Sequence, residues 1–288
     1  MIFYTCYAKR IISLLERLQA LKRVETKRKQ IDDELERRRM KRRRDDDEFK
    51  VVEGVIDPPT LMALYKLLNR GTLRALHGAI STGKEANVYR GEDLGGKPVA
   101  VKIYRISTAE SEYMLEYITG DERFKHVKRQ PRSLIPLWAL KEFKNLKLYY
   151  DSGIVVPCPL DIERNVLVME FIGDTDLGLP APLIRNIEIP SPVDTFNEII
   201  NMVELGYTKA GLVHADLSEY NILWHIGAPV IIDVSQAVLK THDYASKYLY
   251  RDIQNIVRYF EKLDVETEDP KEIFRHILES GEETNVDT

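Results

Sequence analysis

His214-Ala215-Asp216-Leu217-Ser218-Glu219-Tyr220-Asn221, followed closely by Val230-Ile231-Ile232-Asp233, is the stretch on which the reading of this chain turns. It is an H-x-D triplet with an Asn five residues after the Asp, and then a second Asp behind an apolar strand. The spacing has a chemical meaning. Asp216 is placed to accept or orient the proton of an attacking hydroxyl, and Asn221 and Asp233 are placed to hold magnesium ions that bridge ATP phosphates. Alone, the stretch could equally be a polar loop between a helix and a buried strand.

Two upstream elements occur in the matching order. Val99-Ala100-Val101-Lys102 reads as a strand delivering a Lys to the α- and β-phosphates. With Val88 set on the last position of G-x-G-x-x-G-x-V, the three glycine positions fall on Ser81, Gly83 and Ala86. Small residues there still let backbone approach phosphate, with less freedom than glycine gives. Ser81 and Thr82 add hydroxyl donors, and Lys84 adds a charge. Gly78 to Lys84 also fits G-x-x-x-x-G-K, with Val230 to Asp233 as a Walker B strand. However, Glu85 stands where a Ser or Thr must reach magnesium, and Asn87 to Arg90 reads as strand, not as the helix such a loop opens. That P-loop NTPase reading also leaves Lys102 and the His214 triplet unexplained.

Together, Ser81 to Val88, His214 to Asn221 and Ile232-Asp233-Val234-Ser235-Gln236 resemble the signatures of RIO-type atypical serine/threonine protein kinases, and are most similar to the first, archaeal-like subfamily. The resemblance runs from about Phe49 to about Phe274. It implies an α+β, two-lobed protein-kinase-like fold, with a small antiparallel-sheet N-lobe and a reduced helical C-lobe. It implies ATP and Mg2+ as cofactors, with Mn2+ as a substitute, and autophosphorylation on serine. It also implies an ATPase cycle through a phospho-aspartate on Asp233, and a role in maturing the small ribosomal subunit. Asp233-Val234-Ser235 replaces D-F-G, no A-P-E follows, and a helical pattern resumes near Tyr244, so no long activation loop fits. Ser218 stands where kinases often keep a Lys. Both departures weigh towards ATP turnover as a switch and away from transfer to a conventional peptide.

The chain has 288 residues, 44% hydrophobic and 31% charged, enough for two lobes around a cleft. Its formal charge of −4 does not suggest nucleic acid, but its first 44 residues are strongly basic. Cys6 and Cys158 are too few for a disulfide framework, and a reducing cytoplasm is the expectation. No apolar run approaches the ~20 residues of a membrane span.

The expected organisation follows. Residues 1–48 form a basic, partly helical extension with Ile11, Leu14, Leu15, Leu18 and Leu21 at helical spacing. Its run Arg37 to Arg44 either contacts rRNA in pre-small-subunit particles through counterion release, or is a tail neutralised by Asp45 to Glu48. Residues 49–168 form the N-lobe. A helix there is capped by Asp57, shows an apolar face of Leu61, Leu64, Tyr65 and Leu68, and ends at Gly71. Strands follow near 76–80, 87–92 and 98–104. A flexible insertion at about 106–135 carries Ser107, Thr108, Ser111 and Ser133, the candidate autophosphorylation residues. Trp138 to Tyr150 is expected to be the helix that offers a Glu to Lys102. Glu142 is the choice there and Glu116 the competitor.

Residues 169–173 form the hinge, where Met169, Glu170 and Ile172 meet adenine. Residues 174–278 form the C-lobe, with helices from Ser191-Pro192 and over Ala245 to Leu263, the last expected helix. Residues 279–288 form an acidic tail. His214 is expected to prop the catalytic loop. The rival to catalysis is an assembly factor that holds ATP without turning it over. An acceptor that is a small molecule is also open, because fold alone does not name one.

Overall fold

The computed structural model describes residues 57–105, 111–118, 120–124 and 131–283. The expected leucine-striped helix, the Arg37 to Arg44 run and the 48/49 boundary lie outside them, as do Ser107 and Thr108.

Helix α1 (Pro58–Arg70) starts as its sequence dictates. Asp57 Oδ1 accepts from Thr60 N at 3.0 Å, Pro58 occupies the first turn, and Gly71 closes the helix at φ 78°. Its buried face is not the expected one. Thr60, Ala63, Leu64 and Leu67 are buried, while Leu61 and Tyr65 are 48% and 57% exposed. The smaller residues lie against β4 and β5, and Thr60 Oγ1 accepts from Asn165 Nδ2 at 2.8 Å. Packing distance to the sheet outranked side-chain size in choosing the face.

The N-lobe sheet comprises β1 (Ala75–Thr82), β2 (Ala86–Glu92), β3 (Pro98–Tyr104), β4 (Pro159–Glu163) and β5 (Val166–Glu170). All pairings are antiparallel, in the order β1-β2-β3-β5-β4. The central strand β3 is buried on both faces from Val99 to Tyr104, which is why it reads as a continuous apolar run around Lys102.

Helix α2 (Ser111–Ile118) and a 3-10 turn (Glu122–Phe124) lie in the segment expected to be a flexible insertion. Met114, Tyr117, Ile118 and Phe124 are buried there, so its described parts are packed. Helix α3 (Pro131–Asp151) begins seven residues before the expected Trp138. Pro131 and Pro136 look like breakers, but Pro131 is at the first position, where its missing N–H costs nothing, and Pro136 is absorbed within the helix. The last residues assigned to the insertion are therefore the first turn of α3.

After the hinge, β6 (Gly173–Asp174) pairs with β7 (Leu179–Pro180). Helix α4 (Pro192–Thr208) follows. Ser191 stands at its N-cap, but its hydroxyl makes no cap bond; its carbonyl accepts from Thr195 N at 3.0 Å. Phe196 and Ile199 are buried as expected, with Met202 completing the face in place of the half-buried Ile200 and Val203.

Two small two-stranded sheets then bracket the key loops. Strand β8 (Leu212–Val213), immediately before His214, pairs with β11 (Val238–Leu239). Strand β9 (Ile222–His225), immediately after Asn221, pairs with β10 (Ala228–Ile231), which leads into Asp233. Helix α5 (Ala245–Glu261) buries Tyr248, Leu249, Ile253, Ile256, Val257 and Phe260, as its spacing predicts. It is not the last helix. Helix α6 (Pro270–Glu283) follows, buries Ile273 and Ile277, packs on α4 and α5, and takes up the first part of the expected acidic tail. The architecture is α+β and two-lobed, as a protein-kinase-like fold requires.

Candidate active site

Lys102 is presented by a strand with no exposed face, so its side chain is only 8% exposed. Its Nζ lies 2.8 Å from Glu142 Oε1 on α3 and 2.8 Å from Asp233 Oδ1. Burial works against an ammonium here, but Asp233 and then Glu142 outweigh it and hold Lys102 above the ordinary lysine value. Glu142 is pushed up to about 7 by burial, against the pull of Lys102. Its other oxygen accepts from the Tyr104 hydroxyl. Glu116 is not its rival: it accepts from the Tyr248 hydroxyl at 2.7 Å.

Asp233 sits at φ 58°, a left-handed conformation unusual for an aspartate. Its Oδ1 also accepts from Ser235 Oγ at 2.9 Å, while its side chain stays 44% exposed. Burial would raise it, but the Lys102 ammonium and the Ser235 hydroxyl hold the carboxyl below the usual range. It is ionised at neutral pH, with one oxygen engaged and the other reachable.

The loop from His214 brings Asp216 and Asn221 to the same place. Asn221 Nδ2 donates to Asp216 O at 2.8 Å and Asp216 Oδ2 at 3.3 Å, which leaves its amide oxygen to face a cation. Ile232 N donates to Asn221 O at 2.9 Å and ties the two segments together. Burial and then the Asp233 charge raise Asp216 above its ordinary value. Gln236 Nε2 donates to Asp216 Oδ2 at 3.2 Å. His214 is buried, with Nε2 at 3.3 Å from Ile232 O, and burial pushes it down to about 4. It is a neutral prop, as expected.

Helix α5 holds this loop from below. The buried Asp252 accepts from Ala215 N at 2.7 Å and Leu217 N at 3.0 Å, and Asn255 Nδ2 donates to Leu217 O at 3.1 Å. The Arg251 guanidinium donates to the Ala215 carbonyl. These bonds fix Ala215 at φ 65° and turn Asp216 outward. Sequence reasoning missed Asp252. The signal was there: a carboxylate inside the core stripe of an amphipathic helix needs buried donors.

Ser81, Thr82, Gly83 and Lys84 form the exposed tip of the β1–β2 hairpin, where Gly83 N donates to Ala86 O at 3.0 Å. Val88 pairs with Lys102 across β2–β3. Strand follows Lys84, not helix, so the P-loop reading fails. Met169 and Glu170 end β5, and Ile172 follows. Glu170 N donates to Cys158 O at 2.8 Å, and Ile172 O accepts from Ala181 N at 2.9 Å. Two carboxylates and one amide oxygen are too few for an all-protein metal cage, and among the described residues no cluster of three or more His, Cys, Asp or Glu could hold one. The set instead suits Mg2+, which takes one or two carboxylates and completes its shell with waters and phosphate oxygens.

A family model described as "RIO domain" matches residues 87–273. The chain belongs to the RIO family. A human RIO relative, "Serine/threonine-protein kinase RIO1", is 39% identical over 232 residues, covering 79% of this chain and 40% of its own length. "RIO-type serine/threonine-protein kinase Rio1" from Haloferax volcanii is 41% identical over 217 residues, covering 75% of this chain and 73% of its own. The chain thus spans less than half of the human RIO protein. Among solved structures, the Chaetomium thermophilum "Rio2 kinase-ADP/Mg2+-phosphoaspartate complex" is similar with TM-score 0.59 and 26% identity, covering 76% of this chain and 65% of that one. A second Rio2 kinase structure from the same organism gives TM-score 0.61 at 25% identity, covering 77% and 67%. The RIO fold and the two-lobed arrangement agree.

Proposed function

We propose that this protein is an ATP- and Mg2+-dependent atypical serine/threonine kinase and ATPase. The observation that carries the reading is the Lys102–Glu142 and Lys102–Asp233 contact set, both at 2.8 Å, beside an outward-facing Asp216. Lys102 neutralises ATP phosphates while Glu142 and Tyr104 hold it forward. The Glu170 carbonyl and Ile172 N–H would meet adenine, and Val88 and Met169 would supply apolar contact to the nucleotide. The backbone and hydroxyls of Ser81, Thr82 and Gly83, with Lys84, close over the phosphates. Asn221 and Asp233 would hold Mg2+, which would supply positive charge to neutralise the phosphates. Asp216 orients the attacking oxygen. The surrounding dipoles are fixed before reaction, which is where such sites gain most.

Two further statements belong to this proposal. The first is a phospho-aspartate cycle. The reachable Asp233 oxygen takes the γ-phosphoryl and ADP leaves. Water directed by Asp216 then releases phosphate and restores the carboxylate. The phosphoaspartate named in the related Rio2 complex supports it, as does the short connection over residues 234–244, which leaves little room for a peptide-docking loop.

The second is membership of the first subfamily, with action in small ribosomal subunit maturation in the cytoplasm and an rRNA-contacting basic arm. Relatives named RIO1 at 37–41% identity, against 35–36% for two relatives named RIO3, support the subfamily. No helix among the described residues is long and apolar enough to cross a membrane.

Comparing ATP turnover of Lys102→Ala and Lys84→Ala tests the site. Loss of ~10²-fold or more in the first, and a mild effect in the second, is expected. The reverse order would contradict Lys102 as the residue that neutralises the phosphates.

A further inference from the structure

Lys141 neighbours Glu142 on α3 but points elsewhere, and the mechanism above does not use it. Its side chain is fully buried, and among the described residues no carboxylate bonds it. Nζ donates to Ser235 O at 2.8 Å and Ala237 O at 2.5 Å, with the Trp138 ring 5.1 Å away. One helical turn on, the fully buried Asn145 donates from Nδ2 to Val234 O at 2.9 Å and Ala237 O at 3.1 Å. Asn145 Oδ1 is itself fixed by Arg123 Nη2 at 2.9 Å, and Arg123 is held in turn by Asp121. One helix thus grips three carbonyls, those of Val234, Ser235 and Ala237, in the segment that follows Asp233.

This arrangement is costly. Burial, and then the nearby Arg123, push the Lys141 ammonium well below its ordinary value, with Asp121 opposing. A buried Met would fill the same space without that penalty. What the donors achieve is constraint. Asp233 holds φ 58°, a conformation a non-glycine residue keeps only where its surroundings over-determine it. Asp233 lies one residue before Val234, which Asn145 holds, and two before Ser235, which Lys141 holds, while the residue after Lys141, Glu142, holds Lys102. Both ends of the Lys102–Asp233 contact are therefore referred to α3.

We propose that Lys141 and Asn145 are positioning residues that lock residues 234–237 to helix α3, and so hold the Asp233 carboxylate in the geometry that takes magnesium. The helix and the segment move as one body; neither swings away from the other to switch the site. This rests on the reading of Asp233 as a metal-binding carboxylate.

The test uses the full chain as wild type, Lys141→Met and Asn145→Ala. Two quantities are read: the magnesium concentration that half-saturates ATP turnover, and amide hydrogen exchange over residues 234–240. The expected result is a ~10–100-fold higher magnesium requirement, as for loss of a group that orients a metal ligand, with little change in the KM for ATP. Exchange over 234–240 quickens in the variants, and in wild type that segment opens together with α3. A folded variant with wild-type magnesium requirement and wild-type exchange overturns the proposal. So does a fall in kcat alone, with magnesium requirement and exchange unmoved. If Lys141→Met does not fold, Asn145→Ala decides. If neither folds, wild-type exchange decides: a segment that opens independently of α3 contradicts the lock. Absence of magnesium-dependent turnover in wild type would instead sink the functional reading, and the exchange data would still judge the lock.

Discussion

At the scale of single residues, the chemistry was legible because it demands fixed residue types at fixed spacing. Lys102, Asp216, Asn221 and Asp233 meet in the cleft as the spacing implies, and Glu142 supplies the partner carboxylate. Lys141, Asn145 and Gln236 were not legible. Their partners lie far along the chain or on backbone carbonyls, which carry no sequence signature. Asp216→Ala and Asp233→Ala should each lower ATP turnover by ~10²–10⁴-fold, with magnesium dependence lost in Asp233→Ala; near-wild-type rates in either would contradict their roles.

His214 gives a pH prediction. Its folded value is about 4 against an ordinary ~6.5. Between these values the unfolded chain binds a proton that the folded protein refuses, so the His214 contribution is lost as pH falls through that window. The loss is up to ~3 kcal/mol. Glu142 and Asp252 are shifted upward and act in the opposite sense. The difference in urea-unfolding free energy between wild type and His214→Gln isolates the histidine. It should shrink by ~3 kcal/mol as pH drops from about 7 to about 4; a pH-independent difference would contradict the buried neutral imidazole.

Among elements, periodicity located α5 and the large apolar residues of its core face, and left out the small Ala245 and the charged Asp252. It placed α1 but turned its face, because Thr60 and Ala63 pack closely on the sheet while Leu61, Met62, Tyr65 and Leu68 stay outside. It started α3 late, because two prolines hid its first turns. The α5 helix also supports the catalytic loop. Asp252→Ala leaves two buried backbone N–H groups without acceptors, a cost of ~2–6 kcal/mol at ~1–3 kcal/mol each. The urea midpoint should fall with the slope unchanged, and turnover should fall in protein still folded. Full activity and stability would show that the loop holds itself.

For the molecule as a whole, the two lobes share one cleft and one linked pair of segments, 214–221 and 232–237. ATP with Mg2+ should therefore stabilise the protein by mass action, by ~2.7 kcal/mol at a hundredfold excess over Kd. Most of that gain should vanish in Lys102→Ala when thermal unfolding is compared with and without nucleotide. The basic run Arg37 to Arg44 belongs to a separate task in this account. Neutralising it in the full chain should reduce rRNA affinity and flatten its dependence on salt, while ATP turnover stays unchanged; loss of turnover would tie the arm to the active site instead.

The most direct measurement is incubation with γ-labelled ATP and Mg2+, followed by separation of hydroxylamine-sensitive from acid-stable label on the quenched protein. Wild type should carry hydroxylamine-sensitive label, and Asp233→Ala should carry none. No label and no turnover in wild type, or the same label persisting in Asp233→Ala, would contradict phosphoryl transfer at this site.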